Sequence, residues 1–142
     1  ELLIEIADSS GEYSEAISLM YELMETTGST DNQLINLSQL HLRIEKFDEV
    51  VDILSPIYKK GNHSLDVLRM LLIAYSSLGQ IENEINVSKI LMNEYPDIPV
   101  GYEALSFAYL QAGSKGKAVE ILLQALPKFP EDVTFSFLKR RL

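Results

Sequence analysis

The sequence contains no cysteine, and several kinds of site are excluded by what it lacks. Without cysteine there can be no disulfide framework and no thiolate metal site. For the same reason, the sequence does not indicate whether the protein resides in an oxidising or a reducing compartment. No run of 18 apolar residues occurs, because the densest apolar stretch, residues 67–75, is short and contains Arg69. A membrane-spanning helix is therefore not predicted. The first residues show neither the basic segment nor the apolar core of a signal peptide.

Basic residues are scarce in the first half of the chain, where none precedes Arg43. Residues 1–71 hold 13 acidic and five basic side chains, whereas residues 72–142 hold eight and seven. The net charge of −9 repels phosphate groups, so neither nucleic acid nor an anionic membrane is an expected partner. A partner segment with basic residues suits the first half better. The alternative is that the acidic residues only keep the protein in solution.

What the sequence does contain is a repeat of 34 residues. Three pairs of identical residues stand at this spacing: Gly79 and Gly113, Tyr75 and Tyr109, and Pro96 and Pro130. Gly11 falls in the same column as the two glycines, and Glu45 occupies that column in between. A fixed period of this length is typical of stacked repeats, in which each unit buries its apolar face against its neighbours.

Within each repeat the apolar residues follow the period of an α-helix. Leu68, Leu71, Leu72 and Tyr75 stand at i, i+3, i+4 and i+7, which is one face of a helix. Turn-forming residues separate the helical stretches. Nine helices are predicted, near residues 1–9, 12–26, 31–44, 47–60, 65–78, 81–94, 99–112, 115–127 and 132–142.

The fourth unit has the most complete set of signature residues. They are Leu105, Tyr109 and Gly113 in its first helix and Ala118, Leu122, Ala125 and Pro130 in its second. This pattern resembles the tetratricopeptide repeat (TPR). The resemblance covers residues 1–132 in four units, at about 1–30 (a partial unit), 31–64, 65–98 and 99–132.

The resemblance implies an all-α fold, a right-handed α-solenoid of stacked antiparallel helix pairs. Six core residues are expected to be buried between the layers: Leu71, Tyr75, Leu105, Tyr109, Ala118 and Leu122. Residues 1–142 are expected to form one TPR-like domain, with a capping helix at 132–142 because Lys139 and Arg140 occupy columns that should be apolar. The chain starts inside the first helix of a repeat, so we expect it to be a fragment of a longer protein.

Two residues depart from the repeat pattern. Pro56 lies within the second helix of the second unit, so a kink or break is predicted near Leu54 and Ser55. Glu84 occupies a column of small or apolar residues. Because a buried lone carboxylate is costly, this helix is expected to rotate and bury Ile81, Ile85 and Leu91 instead.

No catalytic constellation, cofactor motif or metal site is predicted. The two histidines, His41 and His63, lie 22 residues apart without a neighbouring ligand pattern. His41 stands in the column of Tyr75 and Tyr109, so we expect a hydrogen-bonded histidine at a helix interface. The chain itself is not expected to be an enzyme.

In proteins similar to this one, the first helix of each unit lines a concave groove that binds a peptide. Transferring those columns predicts seven partner-binding residues: Glu5, Asp8, Asn36, Gln39, Met70, Ile73 and Phe107. The groove would be acidic at one end, rich in amides in the middle and apolar at the other end. A partner with basic residues at one end and apolar anchors at the other is expected.

The resemblance thus implies a non-catalytic scaffold that binds a partner peptide or domain. Two alternatives stay open: a structural or self-association segment of a longer repeat array, or the recruiting or regulatory arm of an enzyme whose catalytic domain lies outside this fragment. Phe135, Leu138 and Leu142 form one stripe of the last helix, and Phe137 points away from it. Exposed apolar ends predict a weak homodimer.

Overall fold

The computed structural model describes residues 12–142, and within this range the chain is all-α, with eight helices and no β-strand. The helices are α1 (Tyr13–Thr27), α2 (Asp31–Arg43), α3 (Phe47–Lys59), α4 (Leu65–Ser77), α5 (Ile81–Glu94), α6 (Val100–Gln111), α7 (Lys115–Lys128) and α8 (Val133–Arg141). Every helix end lies within one residue of its predicted position. The predicted helix at 1–9 lies outside the described residues.

Side chains that accept backbone hydrogen bonds set the start of three helices. Thr30 forms a capping box on α2: its hydroxyl accepts a bond from the Gln33 backbone N–H at 3.2 Å, and the Gln33 side chain accepts one from the Thr30 N–H at 3.0 Å. Ser64 caps α4, and Asp132 caps α8. These bonds satisfy N–H groups that have no partner within the helix.

Packing divides the molecule between Leu78 and Gly79 into two compact units. In unit 1, α1 packs on α2, α3 packs on both α2 and α4, and α2 also contacts α4. The α1–α2 contact is built on five buried residues: Ala16, Ile17, Met20, Leu37 and Leu40. Of the predicted core residues in this unit, Leu71 and Tyr75 are buried.

In unit 2, each of α5 to α7 packs on the next helix in the chain. Its core consists of seven buried residues: Tyr102, Leu105, Ile121, Leu122, Ala125, Phe135 and Leu138. The last helix, α8, therefore covers this core with Phe135 and Leu138, two residues of the apolar stripe seen in the sequence. Tyr109 is the one predicted core residue that is only half-buried; the Lys117 ammonium lies 5.6 Å from the centre of its ring.

Of the kink or break predicted near Leu54 and Ser55, the break is wrong, because α3 runs unbroken from Phe47 to Lys59 with Pro56 inside it. Proline removes one backbone donor, which leaves the carbonyl of Asp52 without its usual partner. Both Asp52 and Pro56 are exposed, so water can solvate that carbonyl. The carbonyl of Pro56 itself accepts a bond from the Lys60 N–H at 3.1 Å, and the helix continues to its end.

The predicted rotation of α5 is also wrong. Glu84 is 4% exposed, so it keeps the buried position of its column, while Ile81 and Ile85 are only half-buried. The next turn, with Val87 and Ser88, is buried as well. The register of the repeat therefore determines which face of α5 points inward, even though that face carries a carboxyl group.

The turn after the first helix of the second, third and fourth repeats contains a residue with a positive φ angle. Gly79 and Gly113 adopt φ of 72° and 77°, and Glu45, in the same column, adopts 59°. A side chain with a Cβ atom is strained in this region, whereas glycine is not.

We expect Glu45→Gly to raise the free energy of unfolding by about 0.5–1 kcal/mol, because it relieves this strain. Urea unfolding followed by circular dichroism measures the change. Glu82→Gly is the control, since it removes the same charge from an exposed position of α5, where glycine destabilises a helix. If both variants are destabilised, the turn at Glu45 is not strained.

Candidate partner-binding surfaces

The surface of unit 1 that matches the predicted groove is formed by α2 and α4. Because α3 packs on both helices and they also contact each other, their exposed stripes lie on the side away from α3. The stripe on α2 consists of Asn32, Asn36, Gln39 and Arg43, and the stripe on α4 consists of Asp66, Arg69, Ile73 and Ser76. Amides and charged groups thus surround one large apolar side chain, Ile73, which is 46% exposed.

Four of the seven predicted binding residues are exposed: Asn36, Gln39, Ile73 and Phe107. Met70 differs, because it is only 5% exposed. It belongs to the inner side of α4 together with Leu71 and Ala74, so it offers almost no surface to a partner. Glu5 and Asp8 lie outside the described residues.

One end of the α2 stripe is held by a contact to α1. The Arg43 guanidinium lies 5.4 Å from the centre of the Tyr13 ring, and its Nη1 donates a hydrogen bond to the Tyr13 hydroxyl at 3.2 Å. This contact fixes the position of the cation at the end of the amide stripe. The amides of Gln39 and Asn36 lie one and two turns before it.

In unit 2, the corresponding exposed face of α6 carries one aromatic side chain and one carboxyl group. Phe107 is 39% exposed, and Glu103 lies one turn before it and is half-buried. Burial raises the pKa of the Glu103 carboxyl to about 7, and a hydrogen bond to Asp132 and the repulsion from its charge add to the effect. Near neutral pH, Glu103 is therefore partly protonated and can donate a hydrogen bond to Asp132.

Asp132 connects this carboxyl pair to the start of α8. Its Oδ1 accepts hydrogen bonds from the backbone N–H groups of Thr134 at 2.8 Å and Phe135 at 3.3 Å. Burial and the neighbouring Asp132 both raise the pKa of Glu103, so Glu103 is the member of the pair that keeps a proton near neutral pH. The pairing could not be predicted from sequence, because the two residues are 29 positions apart, one in α6 and the other at the N-cap of α8.

Unit 1 also contains a cleft of about 370 Å³ where α1, α2 and the start of α3 meet. Seven residues line it: Ser14, Ile17, Tyr21, His41, Ile44, Lys46 and Glu49. Its rim carries one ammonium and one carboxylate, so it has no net charge with which to select a charged ligand. The cleft has no local sequence signal, because three separate stretches of the chain form it.

His41 is buried beside this cleft, as predicted, but its hydrogen bonding is incomplete. The Tyr21 hydroxyl lies 3.5 Å from its Nε2, and Nδ1 has no hydrogen-bond partner in the part of the chain that the structure describes. Burial lowers the pKa of His41; the charge of Glu49 opposes this shift and that of Lys46 adds to it. The imidazole is therefore neutral near pH 7 and serves the packing of α1 on α2.

Residues 12–142 contain no cluster of three or more histidine and carboxylate side chains that could hold a metal ion. Over the same range, no helix is long and apolar enough to cross a membrane.

These features define the class of protein to which the fold corresponds. Helices pair in sequence order at a 34-residue period, and the small or apolar column of Ala16, Val50 and Ala118 is completely buried. This is the construction of an α-helical repeat protein.

The particular fold is that of TPR proteins. A crystal structure of MamA matches with a TM-score of 0.77 over 91% of this chain and 70% of MamA, at 19% sequence identity. YrrB, described as a TPR protein with an unusual peptide-binding site, matches with a TM-score of 0.82 over 96% of this chain and 71% of YrrB, at 12% identity. No protein-family model and no curated protein sequence matches the chain.

Proposed function

We propose that this chain is a non-catalytic scaffold that binds a partner peptide or protein domain on the exposed faces of its first helices. The observation that carries the proposal is the surface of unit 1, where α4, which carries the exposed Ile73, contacts α2, which carries the amide stripe. Amides can bond to the backbone of a partner segment, and an exposed aliphatic side chain can take an apolar anchor.

The α6 face of unit 2 supplies a second anchor, Phe107. Large aromatic side chains carry a major share of binding free energy where they become buried in a complex. The acidic residues predicted at the N-terminal end of the groove, Glu5 and Asp8, remain part of the proposal as contacts for basic residues of the partner. Such contacts would mainly set the association rate and its salt dependence. The proposal assigns no chemical step to the chain.

The support from similar structures is limited to the fold. YrrB shares that fold and is described as having a peptide-binding site, which makes a peptide a reasonable partner for this chain. The surfaces named above come from exposure and packing in this chain alone.

A selection of displayed random peptides against the chain, followed by fluorescence polarisation with the enriched sequences, tests the proposal. We expect both Ile73→Glu and Phe107→Ala to weaken peptide binding about tenfold or more, since each removes an anchor. Asn36→Ala and Gln39→Ala should each have a smaller effect, about 1 kcal/mol for a lost hydrogen bond.

Leu123→Glu is the matched control, because Leu123 is 63% exposed on α7, the second helix of its repeat. It should leave peptide binding unchanged. If Leu123→Glu weakens binding and the variants at Ile73 and Phe107 do not, the partner uses the second helices and the proposed surface is wrong.

A further inference from the structure

The outward face of α8 has no partner within unit 2. Val133 is 80% exposed and Phe137 is 45% exposed, and they stand on one helix face with the exposed Arg140 and Arg141 at i, i+4, i+7 and i+8. The Arg141 guanidinium lies 5.3 Å from the centre of the Phe137 ring. Residues 133–142 contain no acidic side chain. We call this surface, built from Val133, Phe137, Arg140 and Arg141, the α8 face.

Unit 1 carries a surface of the opposite charge on α1. Glu15, Ser18, Glu22 and Glu25 form an exposed stripe, and α1 contains no lysine or arginine. Tyr21 lies beside this stripe and is 43% exposed. A side-chain hydrogen bond and charge repulsion from Glu12 raise the pKa of Glu15, as expected for two neighbouring acidic groups. We call this surface the α1 face.

We propose that the α8 face of one copy of the chain binds the α1 face of a second copy. The two stripes match in length, about 12 Å on α8 and about 15 Å on α1 at the rise of an α-helix. Two guanidinium groups meet three carboxylates, and the apolar Phe137 and Val133 meet the aromatic ring of Tyr21. Charge complementarity would fix the orientation of the contact, while burial of the apolar groups would supply most of its free energy.

Each copy carries both faces, so this contact joins unlike surfaces. Such a heterologous contact extends into open chains unless two copies exchange both contacts. The proposed partner-binding surfaces on α2, α4 and α6 take no part in it. Self-association and partner binding can therefore be lost separately.

Sedimentation velocity of the 142-residue chain tests the proposal, with protein from micromolar to millimolar concentration. We expect the sedimentation coefficient to rise with concentration in about 20 mM NaCl and the association to weaken about tenfold or more in about 500 mM NaCl, because exposed ion pairs are screened. A chain that remains monomeric at millimolar concentration in low salt would overturn the proposal.

Reversal of charge identifies the surfaces. Arg140→Glu combined with Arg141→Glu, and separately Glu22→Lys combined with Glu25→Lys, should each weaken self-association about tenfold or more. An equimolar mixture of the two variants should associate again, since each α1 face then meets an α8 face of opposite charge. Circular dichroism verifies that both variants fold, as substitutions on exposed helix faces should allow.

Lys59→Glu combined with Lys60→Glu is the matched control, because it makes the same change in net charge at exposed residues at the end of α3. Equal weakening by this control would show a general charge effect and overturn the proposal, as would a mixture that fails to associate. If the chain does not self-associate but sediments with phosphatidylserine vesicles, the α8 face belongs to an anionic lipid surface, and the proposal is likewise wrong.

Discussion

Gly101→Ala is expected to lower the free energy of unfolding by about 1–3 kcal/mol, although alanine is the better helix former. Gly101 lies in α6 where that helix crosses the end of α5. A Cβ atom at this position would lie 2.6 Å from the backbone N of Met92 and 3.0 Å from its Cα. Both atoms belong to the backbone of α5, so the clash cannot be relieved by rotating a side chain, and the two helices must move apart.

Gly116→Ala is the control for this substitution. Gly116 lies in the first turn of α7, and a Cβ atom there would meet nothing within 4 Å. This variant should be more stable than the wild type by about 0.5 kcal/mol, because glycine loses more conformational freedom than alanine when a helix forms. Urea unfolding of both variants, followed by circular dichroism at 222 nm, gives the two changes.

Opposite signs for the two glycines would show that close helix packing is the cause. If Gly101→Ala is as stable as the wild type or more stable, α5 and α6 do not approach each other as closely as the structure indicates. A Gly101→Ser variant, which is slightly larger than Gly101→Ala, should then also be tolerated.

The positions of the helices could be predicted from the sequence because they depend on local signals. The apolar period, the turn residues and the 34-residue repeat all agree, and the helix ends fall within one residue of their predicted positions. Burial of the repeat columns was also predictable: Leu71 and Leu105 share one column, Ala118 lies in the column of Ala16 and Val50, and all of them are almost completely buried. Each of these features follows from the repeat itself.

The errors arose where a single residue seemed to contradict the repeat. Pro56 was expected to kink or break α3, and Glu84 was expected to rotate α5 so that other residues were buried. Instead, α3 is continuous and α5 buries the face that carries Glu84. Burial of several apolar columns outweighs one unfavourable residue. Gly101 is a residue that the repeat pattern does not explain, because the same column holds Val67 in the preceding repeat. The close approach of α5 and α6 explains why this position has no side chain.

The candidate surfaces were predicted less completely than the fold. Repeat columns identify which residues of a first helix face outward on average, and Asn36, Gln39, Ile73 and Phe107 follow that rule. Met70 does not follow it, because Met70 is buried with Leu71 and Ala74 while Ile73 of the same helix is exposed. Which residues of α4 are buried depends on how this helix packs against its neighbours. The pair formed by Glu103 and Asp132 depends on contact between two helices, which a column of equivalent residues cannot describe.

This pair leads to a prediction of how stability depends on pH. Glu103 has its pKa raised from the ordinary value of 4.5 to about 7 in the folded chain. Between these two values the folded state holds a proton that the unfolded state releases, so the contribution of Glu103 to stability is complete below pH 4.5 and is lost as the pH rises through 7. Because Glu103 remains partly exposed, we expect this loss to be about 1–2 kcal/mol, less than the full shift would give.

Glu103→Gln isolates the effect, because glutamine is similar in size, can donate a hydrogen bond to Asp132 and does not ionise. Wild type and variant should have similar stabilities at pH 5, and at pH 8 the variant should be the more stable by about 1–2 kcal/mol. Thermal unfolding at several pH values measures the difference between the two chains. His41 has the opposite dependence, since its lowered pKa removes stability as the pH falls below 6.5, but it is present in both chains and cancels. A difference that does not change between pH 5 and pH 8 would show that Glu103 and Asp132 are not coupled.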